Sequence, residues 1–263
     1  MDTKALPAFI EELTRETAEV IRPFWDQDNL AVDTKSDDSP VTAADHKAEE
    51  VLRARIAERF PEHGFIGEEF GNERLDAEYV WILDPIDGTK SFITHVPLFG
   101  TLIGLLRRGE PIFGAIHQPI LGQLLMGDNT QATLNGKPVR VREARPLKEC
   151  VLLASAIHPE GIELPDPAAW QRLLEAVSFS RTWGDCYGYL LVASGQADIM
   201  ADPQLSPWDI LPIVPIIRGA GGIITDWEGQ RIARGPNPLE DCADSAVAAP
   251  PHLHRQVLDL LNS

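Results

Sequence analysis

Trp81-Ile82-Leu83-Asp84-Pro85-Ile86-Asp87-Gly88-Thr89 joins an apolar run of strand character to two aspartates three residues apart and a glycine turn. Proline has no N–H for a β ladder, so the strand is expected to stop at Pro85. Asp87-Gly88 then turns the chain and points a second carboxylate back beside the first. Asp84, the Ile86 carbonyl and Asp87 should therefore converge. Two unit charges about 4 Å apart repel by roughly 4 kcal/mol at an effective dielectric near 20, so the pair asks for cations. All-oxygen donors of this kind select magnesium or manganese over softer metals. The competing account is a turn whose aspartates cap backbone groups.

Working outward, Gly64-Phe65-Ile66-Gly67-Glu68-Glu69 ends a second short apolar run in two acids. In a chain with 40 Asp+Glu against 23 Lys+Arg, an acid pair can equally be solvated surface. Ser206-Pro207-Trp208-Asp209 opens an apolar helix, and Asp209 suits either an N-cap or a ligand. Thr42-Ala43-Ala44-Asp45 is a near capping box with Asp in the place of Glu, so cap and metal-site roles stand level for Asp45. Thr89 follows the glycine turn at the start of a helix, where backbone N–H groups suit a phosphate and its hydroxyl can hold a water against Glu68. Glu68, Asp84, Asp87 and Asp209 form one site only if the fold gathers them.

The rest of the chain is read from changes in hydrophobic period. Residues 5 to 25 and 42 to 60 predict helices, the first stopped by Pro23. Strands are expected at 65–66, 79–83, 98–106, 112–117, 123–126, 130–134 and 139–141, with Asn135-Gly136 as a two-residue hairpin turn. The stretch from 98 to 141 thus reads as an antiparallel meander. Beyond Pro146 strands (151–155, 179–181, 197–200, 223–226, 246–248) alternate with helices (167–177, 186–194, 209–218, from 251), an α/β pattern. The expected division is residues 1–144, an α+β half with most candidate ligands, and residues 145–263, an α/β half with Asp209, packed without a flexible linker.

The net charge of −17 makes nucleic acid and anionic membranes poor partners. Hydrophobic residues at 44% suffice for a large core. Three widely spaced cysteines, Cys150, Cys186 and Cys242, disfavour a disulfide framework, and no secretory signal or membrane span is legible, so a cytoplasmic protein is expected. His46, His63, His95 and His117 lack partners at ligand spacing and read as ordinary residues, with His95 a candidate loop contact near the mouth of the site.

The run from Asp84 to Thr89, with Gly67-Glu68-Glu69 before it and Trp208-Asp209 after it, resembles the inositol monophosphatase family of magnesium-dependent, lithium-sensitive phosphatases. Lys35-Ser36 and Pro40-Val41-Thr42-Ala43-Ala44-Asp45 match its N-terminal pattern, so the resemblance covers roughly residues 35 to 227. It implies a five-layered αβαβα sandwich, a homodimer, and a site holding two or three Mg2+ ions, with Mn2+ as a substitute. Glu68, Asp84, the Ile86 carbonyl, Asp87 and Asp209 would be the ligands. Glu68 with Thr89 would orient the attacking water, Asp45 just behind would support that water or a further, weaker metal, and Gly88 and Thr89 would offer N–H groups to the phosphate of a small monoester.

Two further segments, residues 89–103 and Arg181-Thr182-Trp183-Gly184-Asp185-Cys186-Tyr187-Gly188-Tyr189, are similar to the branch of that family that acts on histidinol phosphate. Asp87, Asp185 and Asp202 would then face the substrate, with Asp185 and Asp202 pairing with its ammonium or imidazolium and Trp183 or Tyr187 offering a π face. Asp185 equally suits a helix cap, and the two aromatics a core. An inositol-1-monophosphatase or broad sugar-phosphate phosphatase is the alternative within enzymes. From another class, a non-catalytic metal or phosphometabolite binder would have no need of Glu68 and Thr89, and both are present.

Overall fold

Period-two alternation is carried through in space: Val80 and Ile82 face one core, Trp81 and Leu83 another, so their strand is buried on both sides. The computed structural model describes residues 5–27, 31–34, 40–156 and 166–263; Lys35 and Ser36 lie outside them. Helix α1 (Leu6–Trp25) is followed by a small antiparallel pair, β1 (Val32–Thr34) and β2 (Pro40–Thr42), and by α2 (Ala43–Arg59). Next come β3 (Gly64–Gly67), β4 (Gly71–Glu73), β5 (Tyr79–Asp87) and the short helix α3 (Thr89–Ile93). The meander follows as β6 (Gly100–Arg107), β7 (Glu110–Gln118), β8 (Gln123–Gly127), β9 (Ala132–Leu134) and β10 (Lys137–Pro138). These strands form one sheet in the order β10-β9-β8-β7-β6-β5-β3-β4, antiparallel except between β3 and β5.

The second half holds β11 (Val151–Leu153), α4 (Pro167–Ala176), β12 (Phe179–Arg181), α5 (Asp185–Ala193), β13 (Ile199–Asp202), α6 (Pro207–Ile210), α7 (Ile213–Gly219), β14 (Ile223–Thr225), β15 (Ala246–Ala249) and α8 (Pro251–Leu261). Its five-stranded sheet runs β12-β11-β13-β15-β14, parallel across the first three strands and antiparallel beyond. Alternation again assigns the faces. Val151, Leu153, Met200, Ala246 and Ala248 face α5 and α7, whereas Leu152, Ile199, Val247 and Ala249 face α4 and α8.

Five layers therefore meet at four interfaces, the two inner ones sharing one continuous core. Helix α1 contributes Phe9, Ile10 and Leu13, and α2 Leu52 and Ile56, against Trp81, Leu83, Ile103 and Leu105 on the outer face of the large sheet. Helices α5, α6 and α7 fill the middle between the two sheets, and α4 and α8 cover the far side. The αβαβα sandwich expected from the sequence is the architecture found.

Several local expectations change. Pro85 does not end the ladder: β5 continues to Asp87, which pairs with Gly100, and the register slips between Asp84 and Asp87. A bulge absorbs the missing N–H. The helix expected over 209–218 divides into α6 and α7 around Leu211-Pro212, because Pro212 cannot donate to a continuous ladder and instead opens a new helix as its N-cap. The strand expected at 139–141 is displaced to the two-residue β10.

A track of glycines brings the middle layer down onto the large sheet. Gly104 pairs with Gly114 and Gly114 with Gly127, so three residues without side chains lie abreast on β6, β7 and β8. A Cβ on Gly114 would stand 1.8 Å from the Pro212 carbonyl oxygen, and one on Gly127 2.5 Å from the Ile216 Cα. The α6–α7 junction thus rests on backbone, which sets the depth of Asp209. Gly114→Ala is expected to lower stability by roughly 1–3 kcal/mol through overpacking, and to weaken magnesium binding because the segment carrying Asp209 must rise. Thermal melts and a magnesium titration read both effects; wild-type values in both would show that the close approach does not matter.

Candidate active site

Strand β5 delivers Asp84 into the interior at 1% exposure, where its Oδ1 accepts the Ile86 N–H (3.0 Å). That bond folds the Pro85-Ile86 bulge back and aims Asp87 at the same space. Asp87 Oδ2 accepts the N–H of Cys186 from the first turn of α5. Asp209 comes from α6, its Oδ2 accepting the Ser206 N–H (2.7 Å) in a capping box. Ligand atoms of Asp84, Asp87 and Asp209 then lie within 4.8 Å of one another, the one such metal-sized group among the described residues.

Electrostatics registers the crowding. Burial, then Glu68, Asp87 and Asp209, push the Asp84 carboxyl well above the ordinary range. Burial, then Asp185 and Asp209, do the same to Asp87. Asp209 is pushed up to about 7, again mainly by burial with Glu68 and Asp185 adding repulsion, against the opposing Ser206 bond. Such an all-carboxylate, water-poor donor set fits a hard divalent cation, which would replace the protons these groups otherwise hold.

Glu68 follows β3, and its charge raises the carboxyl pKa values of Asp45, Asp84 and Asp209. Its N–H is held by the Leu83 carbonyl (3.2 Å). Asp45, 1% exposed, makes the cap: its Oδ2 accepts the Thr42 N–H (2.9 Å) and hydroxyl (2.7 Å), while burial and Glu68 raise its pKa. The Thr89 hydroxyl donates to the Ile86 carbonyl (3.1 Å) in this structure, not to Glu68. Gly88 precedes it at φ +84, a left-handed turn that glycine adopts without strain, and caps α3.

Asp185 opens α5 with its carboxylate against Gly88, where a Cβ would stand 2.9 Å from Oδ2. Its pKa is raised by burial, with the Ser155 hydroxyl and Lys90 opposing. Trp183 is 44% exposed on the approach to α5, whereas Tyr187 is half-buried against the middle core. Asp202 sits lower than expected: it is 1% exposed, with Oδ1 accepting the Ser155 N–H (2.8 Å) and Oδ2 the Tyr189 hydroxyl (3.2 Å).

Among the histidines, His63 accepts the Trp81 indole N–H (3.0 Å), His117 is buried with its pKa pushed down to about 4, His95 packs on Trp25, and His46 lies 3.8 Å from Glu69. One structural partner escaped the sequence reading. Glu49, fully buried on α2, accepts the Glu69 N–H (2.8 Å) and binds Arg53 one turn on (2.7 Å), and so fixes the turn that carries Glu68. Its signal was an i,i+4 acid–base pair on a helix whose other buried residues, Asp45 apart, are aliphatic.

Comparison with known proteins places the chain. The sequence profile of the inositol monophosphatase family matches residues 2–263, and the chain belongs to that family of metal-dependent phosphatases. It is 43% identical over 239 residues to the bifunctional phosphatase IMPL2, chloroplastic, of Arabidopsis thaliana, a match covering 90% of this chain and 66% of that protein, just under two thirds. It is 38% identical to a histidinol-phosphatase of Chlorobaculum parvum, covering 84% of this chain and 85% of that one. The crystal structure of an inositol monophosphatase from Zymomonas mobilis superposes over the whole of both chains with a TM-score of 0.85 at 31% identity.

A group with a raised folded-state pKa favours folding while it is protonated and loses that advantage as pH rises toward the folded value. For Asp209 the window runs from about 4 to about 7. Metal-free protein is therefore expected to melt at progressively lower temperature from pH 5 to pH 8, and magnesium should raise the melting temperature more at pH 8 than at pH 5. A magnesium effect of equal size at both values would contradict the protonated cluster.

Proposed function

We propose that the protein is a magnesium-dependent phosphomonoesterase that hydrolyses L-histidinol phosphate to L-histidinol and phosphate. Asp185 carries the choice: an acidic side chain set against the Gly88 turn, with the exposed indole of Trp183 two residues away. Histidinol phosphate brings an ammonium and an imidazole, which gain from a carboxylate and a π face; inositol phosphate brings neutral hydroxyls, which gain far less. The likeness to a histidinol-phosphatase at 38% identity supports this reading. The likeness to an inositol monophosphatase at 31% supports the alternative, an inositol-1-monophosphatase or broader sugar-phosphate phosphatase.

Glu68, Asp84, the Ile86 carbonyl, Asp87 and Asp209 would hold two or three Mg2+ ions, or Mn2+ in their place. A metal held by these residues would supply polarisation of the phosphoryl oxygens, a more acidic attacking water and charge neutralisation for the departing alkoxide. The chain supplies position. Gly88 and Thr89 present first-turn N–H groups to the phosphate, Glu68 with Thr89 holds the water in line, and Asp45 braces that water through its neighbour Glu68. In this scheme residues 1–144 carry most of the reaction machinery, and residues 145–263 add Asp209 and the groups that choose the leaving alcohol. We take the working unit to be a cytoplasmic homodimer. Among the described residues no helix is long and apolar enough to cross a membrane.

With magnesium, purified protein should release phosphate from L-histidinol phosphate much faster than from inositol 1-phosphate or sugar phosphates; the reverse ranking would overturn the substrate assignment. Glu68→Gln should cut turnover about 10²-fold or more even at saturating magnesium, and an undiminished rate would remove Glu68 from the water-orienting role.

A further inference from the structure

Asp202 is the last residue of β13, and Ser155 lies just beyond the neighbouring parallel strand β11, where Leu153 pairs with Met200. The Ser155 N–H donates to Asp202 Oδ1 (2.8 Å). The other side of Ser155 meets the start of α5, where its Oγ accepts the Asp185 N–H (2.9 Å). Tyr189, one helical turn after Asp185, donates its hydroxyl to Asp202 Oδ2 (3.2 Å). Asp202 is thus tied to α5 twice, once through Ser155 and once directly.

Asp185 needs such a tie. Its φ is +51, a left-handed conformation that costs a residue with a Cβ on the order of 1 kcal/mol. Gly184 before it presses on Ser155 so closely that a Cβ would fall 2.3 Å from the Ser155 Cα. Ser155 also opposes the effect of burial on the pKa of both carboxylates. Asp202, by contrast, has both oxygens engaged by the protein and 1% of its surface exposed.

We propose that Asp202 is a positioning residue: through Ser155 it holds Asp185 in its left-handed conformation, with the carboxylate aimed at the cationic part of the substrate. Charge selection then rests on one acid at the surface of the site, and the buried acid beneath acts only by fixing where the first one stands. This deepens the histidinol-phosphate reading and depends on it for the identity of the cation.

The test compares histidinol phosphate with inositol 1-phosphate across single and double variants. Asp185→Ala, Ser155→Ala and Asp202→Ala should each lower the histidinol-phosphate to inositol-phosphate selectivity, carried in KM, by roughly tenfold, the scale of one hydrogen bond to a charged group. Asp202→Asn keeps an acceptor for the Ser155 N–H and should hold selectivity within threefold of wild type. On an Asp185→Ala background, Asp202→Ala should add less than twofold, because its effect passes through the missing group. Additive losses, or an Asp202→Asn defect as deep as Asp202→Ala, would mean that Asp202 meets the substrate with its own charge and would overturn the inference. If the wild-type enzyme shows no preference for histidinol phosphate, the substrate reading fails. The positioning claim is then decided by a crystal structure of the Asp202→Ala or Ser155→Ala protein: Asp185 leaving positive φ sustains it, and an unmoved Asp185 ends it.

Discussion

Burial of Asp84, Asp87 and Asp209 side by side, with repulsion from neighbouring carboxylates adding to it, is the constraint around which this molecule is built. Each side chain has one oxygen fixed by a backbone N–H, from Ile86, Cys186 and Ser206 respectively. Those bonds orient the carboxylates without removing their preference for the protonated form, because burial outweighs them. For Asp209 alone the shift to about 7 corresponds to roughly 4 kcal/mol against the charged form. An arrangement that unfavourable in isolation is informative: a hard cation supplying the missing positive charge would recover the energy. The raised values and the fitness of the cluster for a metal ion have one cause.

The layers explain how the repulsion is enforced. Asp84 and Asp87 belong to a central strand buried on both faces, and Glu68 leaves the strand parallel to it, so these three are set by one sheet. Asp209 arrives from the middle helical layer, and its height depends on Gly104, Gly114 and Gly127 giving way beneath Pro212 and Ile216. Glu49 holds the Glu68 turn from the other side of the sheet. The reaction centre is thus clamped between α2 and α6. The start of α5 joins this cluster to β11 and β13: the Cys186 N–H holds Asp87, and Asp185 lies against Gly88.

Much of this was legible before any coordinates. The Asn135-Gly136 turn and the alternation from residue 98 onward announced the meander, since turn chemistry and period two are local properties. The Asp-Pro-Ile-Asp-Gly-Thr turn announced converging carboxylates for the same reason. The failures share a cause. Pro85 reads as a stop because it lacks a donor, yet a bulge kept the strand going to Asp87. Pro212 divides what periodicity alone joins into one helix. That Asp202 bonds Ser155, 47 residues away, is likewise beyond a local reading.

What the sequence determined by itself was therefore chemistry at short range: which strands and turns form, which donors are hard oxygens, and which residues could activate a water. Membership of the inositol monophosphatase family rests on that spacing of motifs and on the match over residues 2–263. Only the tertiary structure decided which distant acids share a site and which merely support it. Residue type reports what a side chain can bond to, whereas burial and partner, which decide between ligand, cap and brace, are properties of contacts between segments the chain separates by scores of residues. Asp209 and Asp202 are the same amino acid seven positions apart, and the fold gives one to the cluster with Asp84 and Asp87 and the other to Ser155 and Tyr189.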